Sequence, residues 1–482
     1  MGFLSPSYFL FFPLTALVYF ALPRQLRNGW LLLCSWFFYL CAGPEYFFFL
    51  LATVLVTYFV ALSLEKNRKK GVLFAALCLF IGALFLFKYL EFGVSLLSRI
   101  LSAAGLNWTP AVPKLLLPAG ISFYFFTAMG YLIDVYRGKQ PAEKRFVNCA
   151  LFLSFFPYLL SGPIGRAEHL LPQFDGLHNM DDANIREGFL RFLWGAFKKL
   201  VLADRLAVVV DTVFAAPQNF GAIQVLAAAC AFSVQIYCDF SAYSDMAVGS
   251  ARAMGFALTE NFRTPYFSRS IAEFWRRWHI SLSSWFRDYL YIPLGGGRKG
   301  TARKYWNVLI VFAVSGLWHG AALSFVVWGL LNGLYQVAGG LTQRLRIKIR
   351  SVLPLREDGK LLALWQMLCV FLLATVAWVF FEAGSIPAAL AVLKNMVKPV
   401  LWDVGGLPAM GMGRKEFLVA GLAFLLLTAV DACSLKTDPA RRLARSPRYL
   451  RWCVSLALLL LTVVFGSYGT GYNAQSFIYG QF

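Results

Sequence analysis

The chain has 482 residues, of which 59% are hydrophobic and only 14% are charged. Soluble domains carry about 25% charged residues, so this composition excludes an ordinary soluble protein. The net charge of +21 comes from Lys and Arg in short loops between apolar runs, as at 65–70 and 344–350, which indicates cytoplasmic loops in contact with anionic membrane lipids rather than nucleic-acid binding.

Apolar runs long enough to cross a bilayer as helices, roughly 20 residues each, recur along the whole chain. The predicted spans are 5–22, 28–43, 45–64, 71–90, 115–136, 146–163, 187–215, 220–255, 304–337, 361–382, 415–433 and 452–469. The run 187–215 is interrupted and 220–255 becomes polar near its end, so we expect re-entrant or interfacial pieces within 160–300. No long soluble linker divides the runs. The sequence therefore predicts an all-α polytopic membrane protein, with residues 1–482 forming one integral-membrane domain.

The basic loops predict the orientation of these spans. The segments "RQLRN", "EKNRKK" and "RGKQPAEKR" follow the first, third and fifth spans, whereas the loops between them are poor in Lys and Arg. Basic loops face the cytoplasm, so both termini are predicted to be extracytoplasmic. The first span has no basic leader and no small-residue cleavage site before Pro23, which favours a retained helix over a signal peptide.

Two carboxylates, Asp239 and Asp245, lie in "QIYCDFSAYSDMAVG" (235–249) at the end of a long apolar run. Charged groups at membrane depth are costly unless they are paired. We expect them to cap helix ends, to pair with Arg276 or Arg277, or to line a water-filled cavity. Structural pairing is favoured over direct catalysis.

The segment "EFWRRWHISLSSWFRDYLYIPLGGG" (273–297) is predicted to form an amphipathic helix at an interface or beside a polar cavity. At 100° per residue, its apolar side comprises Trp275, Trp278, Leu282, Trp285, Phe286 and Tyr289. Its polar side comprises Arg276, Arg277, Ser281, Ser283, Ser284, Arg287 and Asp288. His279 falls at the edge of the apolar side and should point inward. Pro293 and the glycines after it should end the helix.

His319, in "AVSGLWHGAALSFVVWG" (313–329), has the most apolar surroundings of the four histidines, since no charged residue lies between 308 and 340. An ionisable group inside a membrane is a candidate for function. A neutral histidine bonded to a carbonyl of a neighbouring helix would explain it equally well. Gly316 and Gly320 should allow another backbone or a ligand to approach. His279, by contrast, is more simply explained by packing, and His169 and His178 by solvation.

These residue types limit the chemistry that the chain can perform. No third histidine or carboxylate occurs at ligand spacing and no C-x-x-C is present, so no metal site is predicted. No G-x-S-x-G elbow supports a hydrolase triad. A neutral histidine in a dry cavity can act as a general base on an alcohol that attacks an acyl carbonyl, and exclusion of water would protect a thioester. The residues are compatible with acyl transfer without singling it out.

The motif at 274–297, followed by "GLWHG" at 316–320, resembles the signatures of the membrane-bound O-acyltransferase superfamily, in its bacterial polysaccharide O-acetylation branch. Segments 115–139, 155–166 and 237–256 match as well. The resemblance implies a ring of about 11–12 tilted transmembrane helices with re-entrant or interfacial helices around a central funnel or tunnel. Its core would cover about 115–340, with flanking helices at 5–90 and 361–469 and an aromatic tail at 470–482.

The resemblance also implies roles for individual residues. It identifies His319 as the catalytic histidine and His279 as the second histidine of the family. Other motif or cavity residues are Trp318, Asp288, Arg276, Arg277 and Asp239. Tyr479, in the tail "QSFIYGQF", could relay the acyl group outward, or the tail could simply plug the outer funnel.

The implied activity is acyl transfer across the bacterial cytoplasmic membrane. The donor would be a cytoplasmic thioester, either acyl-CoA or an acyl-carrier protein, and no cofactor would be tightly bound. The acyl group, most simply acetyl, would pass to an extracytoplasmic SGNH-type esterase-fold partner that modifies an alginate-like polymer or peptidoglycan. The alternatives are D-alanyl transfer to teichoic acid, lipid acylation, and a non-enzymatic transporter or flippase.

Overall fold

The computed structural model describes residues 1–106, 108, 110, 117–352, 359–400 and 406–468. Within this part of the chain the regular structure is helical and no strand occurs. Six helices are long and apolar enough to cross a membrane, and three shorter apolar helices accompany them. The prediction of an all-α polytopic membrane protein is confirmed.

The described residues form two compact units, and α10 and α12 each contribute to both. Unit 1 comprises Met1–Phe189 and Met246–Thr259. Its helices are α1 Pro6–Ala21, α2 Arg24–Leu40, α3 Pro44–Asn67, α4 Lys70–Leu84, α5 Leu90–Ala103, α6 Ile121–Tyr136, α7 Phe146–Ser154, α8 Phe156–Leu159 and α9 Ala167–Asp175. A π-helical turn, Phe85–Tyr89, joins α4 to α5. The prediction that the whole chain is a single membrane domain stays a prediction.

Unit 2 comprises Leu190–Asp245 and Glu260–Phe482 and contains both histidines of the predicted site. Its first helices are α10 Asp182–Phe197, a π-helical segment Lys198–Ala203, α11 Asp204–Ala215 and α12 Ala222–Ala253. The short α13 Ile271–Arg277 and α14 Ile280–Phe286 follow, with a π-helical turn at Arg287–Tyr291. The rest are α15 Thr301–His319, α16 Leu323–Leu341, α17 Gln343–Val352, α18 Lys360–Glu382, α19 Ile386–Asn395, α20 Arg414–Ser434, α21 Pro439–Ala444 and α22 Arg448–Phe465.

The amphipathic helix predicted within 273–297 is broken into α13 and α14, so the prediction of one continuous helix was wrong. His279 adopts a left-handed backbone conformation at the break, with φ +42°. The freed backbone groups are bonded by the segment before α13: Arg263 N donates to Arg277 O at 3.0 Å and Ile280 N donates to Asn261 O at 3.0 Å. Helical periodicity could not reveal this, because the partners lie outside the segment.

The predicted apolar side of this segment is nevertheless buried. Trp275, Trp278, Leu282, Trp285, Phe286 and Tyr289 are all at most 9% exposed. Ser281, predicted on the polar side, is buried too, because its N–H and Oγ–H both donate to Asn261 Oδ1, at 3.2 and 2.6 Å. The glycines after Pro293 form turns as predicted, with positive φ at Gly295 and Gly296.

The predicted span 304–337 consists of two helices, α15 and α16, packed against each other. A Cβ at Gly316 would lie 2.2 Å from the carbonyl oxygen of Phe325, and a Cβ at Gly329 would lie 2.2 Å from that of Phe312. Each helix has 19 residues and is therefore about 28 Å long, close to the thickness of a bilayer core. The turn at 320–322 is itself apolar, so hydropathy alone did not separate the helices. The close approach predicted at Gly316 is confirmed.

Candidate active site

His319 is the last residue of α15 and lies in an enclosure of aromatic rings. Its side chain is 2% exposed. The centroid of its ring is 4.9 Å from that of Trp318, 4.9 Å from that of Trp328 and 5.4 Å from that of Phe381. Trp328 meets the imidazole edge-on, with an interplanar angle of 90°. A Cβ at Gly320 would lie 2.1 Å from the Phe325 ring, so any larger residue there would displace that ring.

The second predicted histidine faces the first. The ring centroids of His279 and His319 are 6.5 Å apart. His279 is 1% exposed, so the prediction that it points inward is confirmed. Trp318 contacts both histidines, since its ring centroid is 6.0 Å from that of His279. The structure therefore brings together His279, Trp318 and His319, while their catalytic roles stay predictions.

The unusual backbone of His279 is fixed by the residues around it. Non-glycine residues with positive φ are uncommon, and such strain clusters at functional sites. Asn261 is fully buried and bonds both residues that follow His279, which holds the break in place. His279 lies outside the membrane-spanning helices, and burial lowers its pKa to about 3. The imidazole is therefore neutral near neutral pH, as acceptance of a proton requires.

A buried ionic cluster joins the π-helical segment Lys198–Ala203 to α12. Lys199 Nζ lies 2.6 Å from Asp239 Oδ1 and 2.8 Å from Asp204 Oδ1. Lys198 Nζ lies 2.6 Å from Asp245 Oδ2 and donates to Ser241 Oγ at 2.6 Å. Structural pairing of both carboxylates was correctly predicted, but the basic partners are these two lysines rather than Arg276 or Arg277.

The cluster extends to Arg191, which bonds both Asp245 and Glu260. Sequence reasoning missed the three basic residues of this cluster. The available signal was the pair Lys198–Lys199 within the interrupted apolar run 187–215, because cations at membrane depth require anions to pair with.

The remaining predicted support residues have other partners. Arg276 is exposed. Arg277 pairs with Glu273 at 2.7 Å, and Asp288 accepts a hydrogen bond from Arg287 at 2.8 Å. Tyr479 lies outside the described residues. In the described ranges, no group of three or more His, Cys, Asp or Glu could hold a metal ion.

Comparison with known proteins identifies the family. The model of the membrane-bound O-acyltransferase family matches residues 18–383. The chain is 34% identical to a probable alginate O-acetylase AlgI from Pseudomonas putida, over 98% of both chains. It is 40% identical to a protein of the same name from Pseudomonas fluorescens, over 79% of this chain and 72% of that one. It is 34% identical to a peptidoglycan O-acetyltransferase from Helicobacter pylori, over 81% and 78% of the two chains.

The matched region contains both histidines, the aromatic residues around them and the ionic cluster. The matched region covers far more than half of the chain. The alignment with the P. putida relative covers 98% of the chain. The chain belongs to the membrane-bound O-acyltransferase family and is an integral-membrane O-acyltransferase.

Proposed function

We propose that this enzyme moves an acetyl group from a cytoplasmic thioester donor across the bacterial cytoplasmic membrane, for O-acetylation of an extracytoplasmic polysaccharide, with His319 as the general base. The observation that carries the proposal is the pairing of His319 with His279 inside an aromatic enclosure, 6.5 Å apart. The polymer would be alginate-like or peptidoglycan, because relatives over most of the chain carry those names.

The enclosure suits removal of a proton from an alcohol. The imidazole of His319 lies among the rings of Trp318, Trp328 and Phe381, and a neutral imidazole in such a place can accept the proton. Exclusion of water also preserves the thioester until the acceptor arrives. In this conformation His319 is 2% exposed, so the surrounding rings must move to admit both substrates.

The same proposal includes an acyl donor, a partner protein and an orientation of the chain in the membrane. The donor would be acyl-CoA or an acyl-carrier protein on the cytoplasmic side, where the basic loops lie. A separate SGNH-type esterase-fold protein would receive the acetyl group outside. Both termini would then be extracytoplasmic. Asp239 would support the site from a distance, through its ion pair with Lys199.

The test is the O-acetyl content of the cell surface in cells that produce the wild type or His319→Ala. We expect near-complete loss of acetyl in His319→Ala, with normal abundance of the protein in membranes. His169→Ala is the matched control, because that side chain is 66% exposed and should acetylate normally. Normal acetylation by His319→Ala would exclude the general base.

The same strains separate the alternative functions. A D-alanyltransferase would change ester-linked D-alanine in place of acetyl. If the protein were a transporter or flippase, surface modification would still require the protein but would not require the imidazole of His319. Two results together would therefore favour the transporter function: acetylation is lost when the gene is deleted, and it is kept in the His319→Ala strain.

A further inference from the structure

Two buried donors of α16 make no hydrogen bond to any described residue: Ser324 Oγ and Trp328 Nε1. Both side chains are 1% exposed. An unpaired buried donor costs free energy, and a native structure that keeps one usually does so for a reason. By comparison, Trp275 in the same aromatic cluster donates its indole N–H to Asn332 Oδ1 at 3.2 Å. Packing in this cluster therefore does not by itself leave an indole N–H without a partner.

Both donors lie on the side of α16 that faces His319. Ser324 and Trp328 are four residues apart, so they occupy one face of the helix. Side chains on a helix lean toward its N-terminus, and α16 begins at Leu323, directly after the turn that follows His319. Trp328 is in edge-on contact with the His319 ring at 4.9 Å. The two donors and the base therefore lie around the same end of α16.

The N-terminus of α16 places partial positive charge at the same end of the helix as the two side-chain donors. The residue that caps the helix is Ala322, which has no side-chain acceptor for the N–H groups of the first turn; its carbonyl accepts from Phe325 N at 3.2 Å, so the N–H groups of Leu323 and Ser324 are the relevant ones. These groups carry the partial positive charge of the helix dipole. No Lys or Arg lies between 308 and 340, so within this stretch of the chain the donors at this end of α16 are neutral. Preorganised neutral donors stabilise a negative oxygen that forms during a reaction.

We propose that Ser324 Oγ–H, Trp328 Nε1–H and the first turn of α16 form an oxyanion hole for acyl transfer. This inference rests on the proposed function. The hydroxyl oxygen of the acceptor attacks the carbonyl carbon of the thioester and forms a C–O bond, while its proton passes to His319. The electron pair of the carbonyl moves to oxygen, and the donors of α16 bind this oxyanion. Collapse breaks the C–S bond, and the leaving thiolate takes the proton from the imidazolium.

The experiment measures the initial rate of surface O-acetylation in intact cells after a pulse of labelled acetate, so that the cell supplies its own donor. Ser324→Ala and Trp328→Phe each remove one donor while keeping most of the packing. Loss of a single oxyanion donor lowers turnover by about 10²- to 10³-fold, and we expect losses of that order at unchanged abundance and thermal stability. Ser324→Thr retains a hydroxyl and should keep most of the rate.

Matched controls are Ser154→Ala, whose hydroxyl donates to its own helix in unit 1, and Trp365→Phe, whose ring is 61% exposed. Both should acetylate at the wild-type rate. Wild-type rates in Ser324→Ala and Trp328→Phe would overturn the oxyanion hole, as would a Ser324→Thr rate as low as that of Ser324→Ala. His319→Ala in the same series separates the two proposals. If it is inactive while both α16 variants are normal, only the oxyanion hole fails; if it is active, the general base fails.

Discussion

The rings of His279 and His319 face each other at a centroid distance of 6.5 Å, although each is positioned by a different feature of the backbone. His279 sits at a left-handed break between two short helices. His319 ends a helix that packs through glycine against its neighbour. The distance between the rings therefore depends on the break and on the glycine contact, and each can be tested separately.

The break at His279 should tolerate only residues that accept a positive φ. His279→Asn keeps a side chain that adopts the left-handed region readily, whereas His279→Val places a β-branched residue there. We expect both variants to lose surface acetylation, because both lack the imidazole. The valine variant should also be less stable than the asparagine variant, by about 1–2 kcal/mol.

The measurement is surface O-acetyl content, together with thermal unfolding of the detergent-solubilised protein. Equal stability of the asparagine and valine variants would contradict the left-handed conformation. Full acetylation by His279→Asn would show that His279 serves only packing.

Gly316 should be irreplaceable even by alanine. Its Cβ would lie 2.2 Å from the carbonyl oxygen of Phe325, a backbone atom that can move only if α15 and α16 separate. Overpacking of this kind costs about 1–3 kcal/mol or more, and it would displace His319, which lies one turn further along α15. We expect Gly316→Ala to lower both thermal stability and acetylation.

Gly339→Ala is the matched control for Gly316→Ala. Gly339 lies in α16 as well, but a Cβ there would meet nothing within 4 Å. Alanine is favoured over glycine in a helix by about 1 kcal/mol, so this variant should be as stable as the wild type or slightly more stable. A Gly316→Ala protein that behaves like Gly339→Ala would contradict the close packing of the two helices.

Lys199 should be required for stability rather than for chemistry. Its ammonium group is buried between Asp204 and Asp239. Removal of one member of a buried ion pair costs about 3–5 kcal/mol, because the remaining charge is left uncompensated. Lys199→Met should therefore reduce the abundance of the protein in membranes and lower its unfolding temperature.

In the double variant Lys199→Met/Asp239→Asn, Asp204 is the one carboxylate that remains of the two paired with Lys199. This variant should therefore recover part of the lost stability. Acetylation per molecule of folded protein should stay near that of the wild type in both variants. A folded Lys199→Met protein that cannot acetylate would instead place the ionic cluster in the reaction.

The sequence predicted the helical class and the burial of both histidines, because those properties depend on hydropathy and on local periodicity. It did not predict the break at His279, since the acceptor oxygens of Asn261 that stabilise it lie far from any helical pattern. It paired Asp239 with Arg276 or Arg277, whereas in the structure Asp239 pairs with Lys199. Ion pairs between helices depend on tertiary contacts, so they cannot be predicted from the sequence of one segment.

The proposed relay by Tyr479 remains a prediction from the sequence, because this residue lies outside the described residues. The last described helix, α22, ends at Phe465, and the 14 residues from there to Tyr479 could extend about 46 Å at about 3.3 Å per residue. If the C-terminus is extracytoplasmic, as proposed, that reach is enough to return from the outer face to the membrane core. If the hydroxyl carries the acyl group, Tyr479→Phe should abolish surface acetylation while the protein remains folded.

Three outcomes separate the relay from simple packing of the tail. Tyr468→Phe is the control, since that ring is 52% exposed and should be replaceable. If the tail only fills space with aromatic rings, Tyr479→Phe will acetylate normally and Tyr479→Ala will not. If neither Tyr479 variant changes the O-acetyl content, the tail takes no part in transfer, and the acceptor must reach His319 without a protein-bound intermediate at this tyrosine.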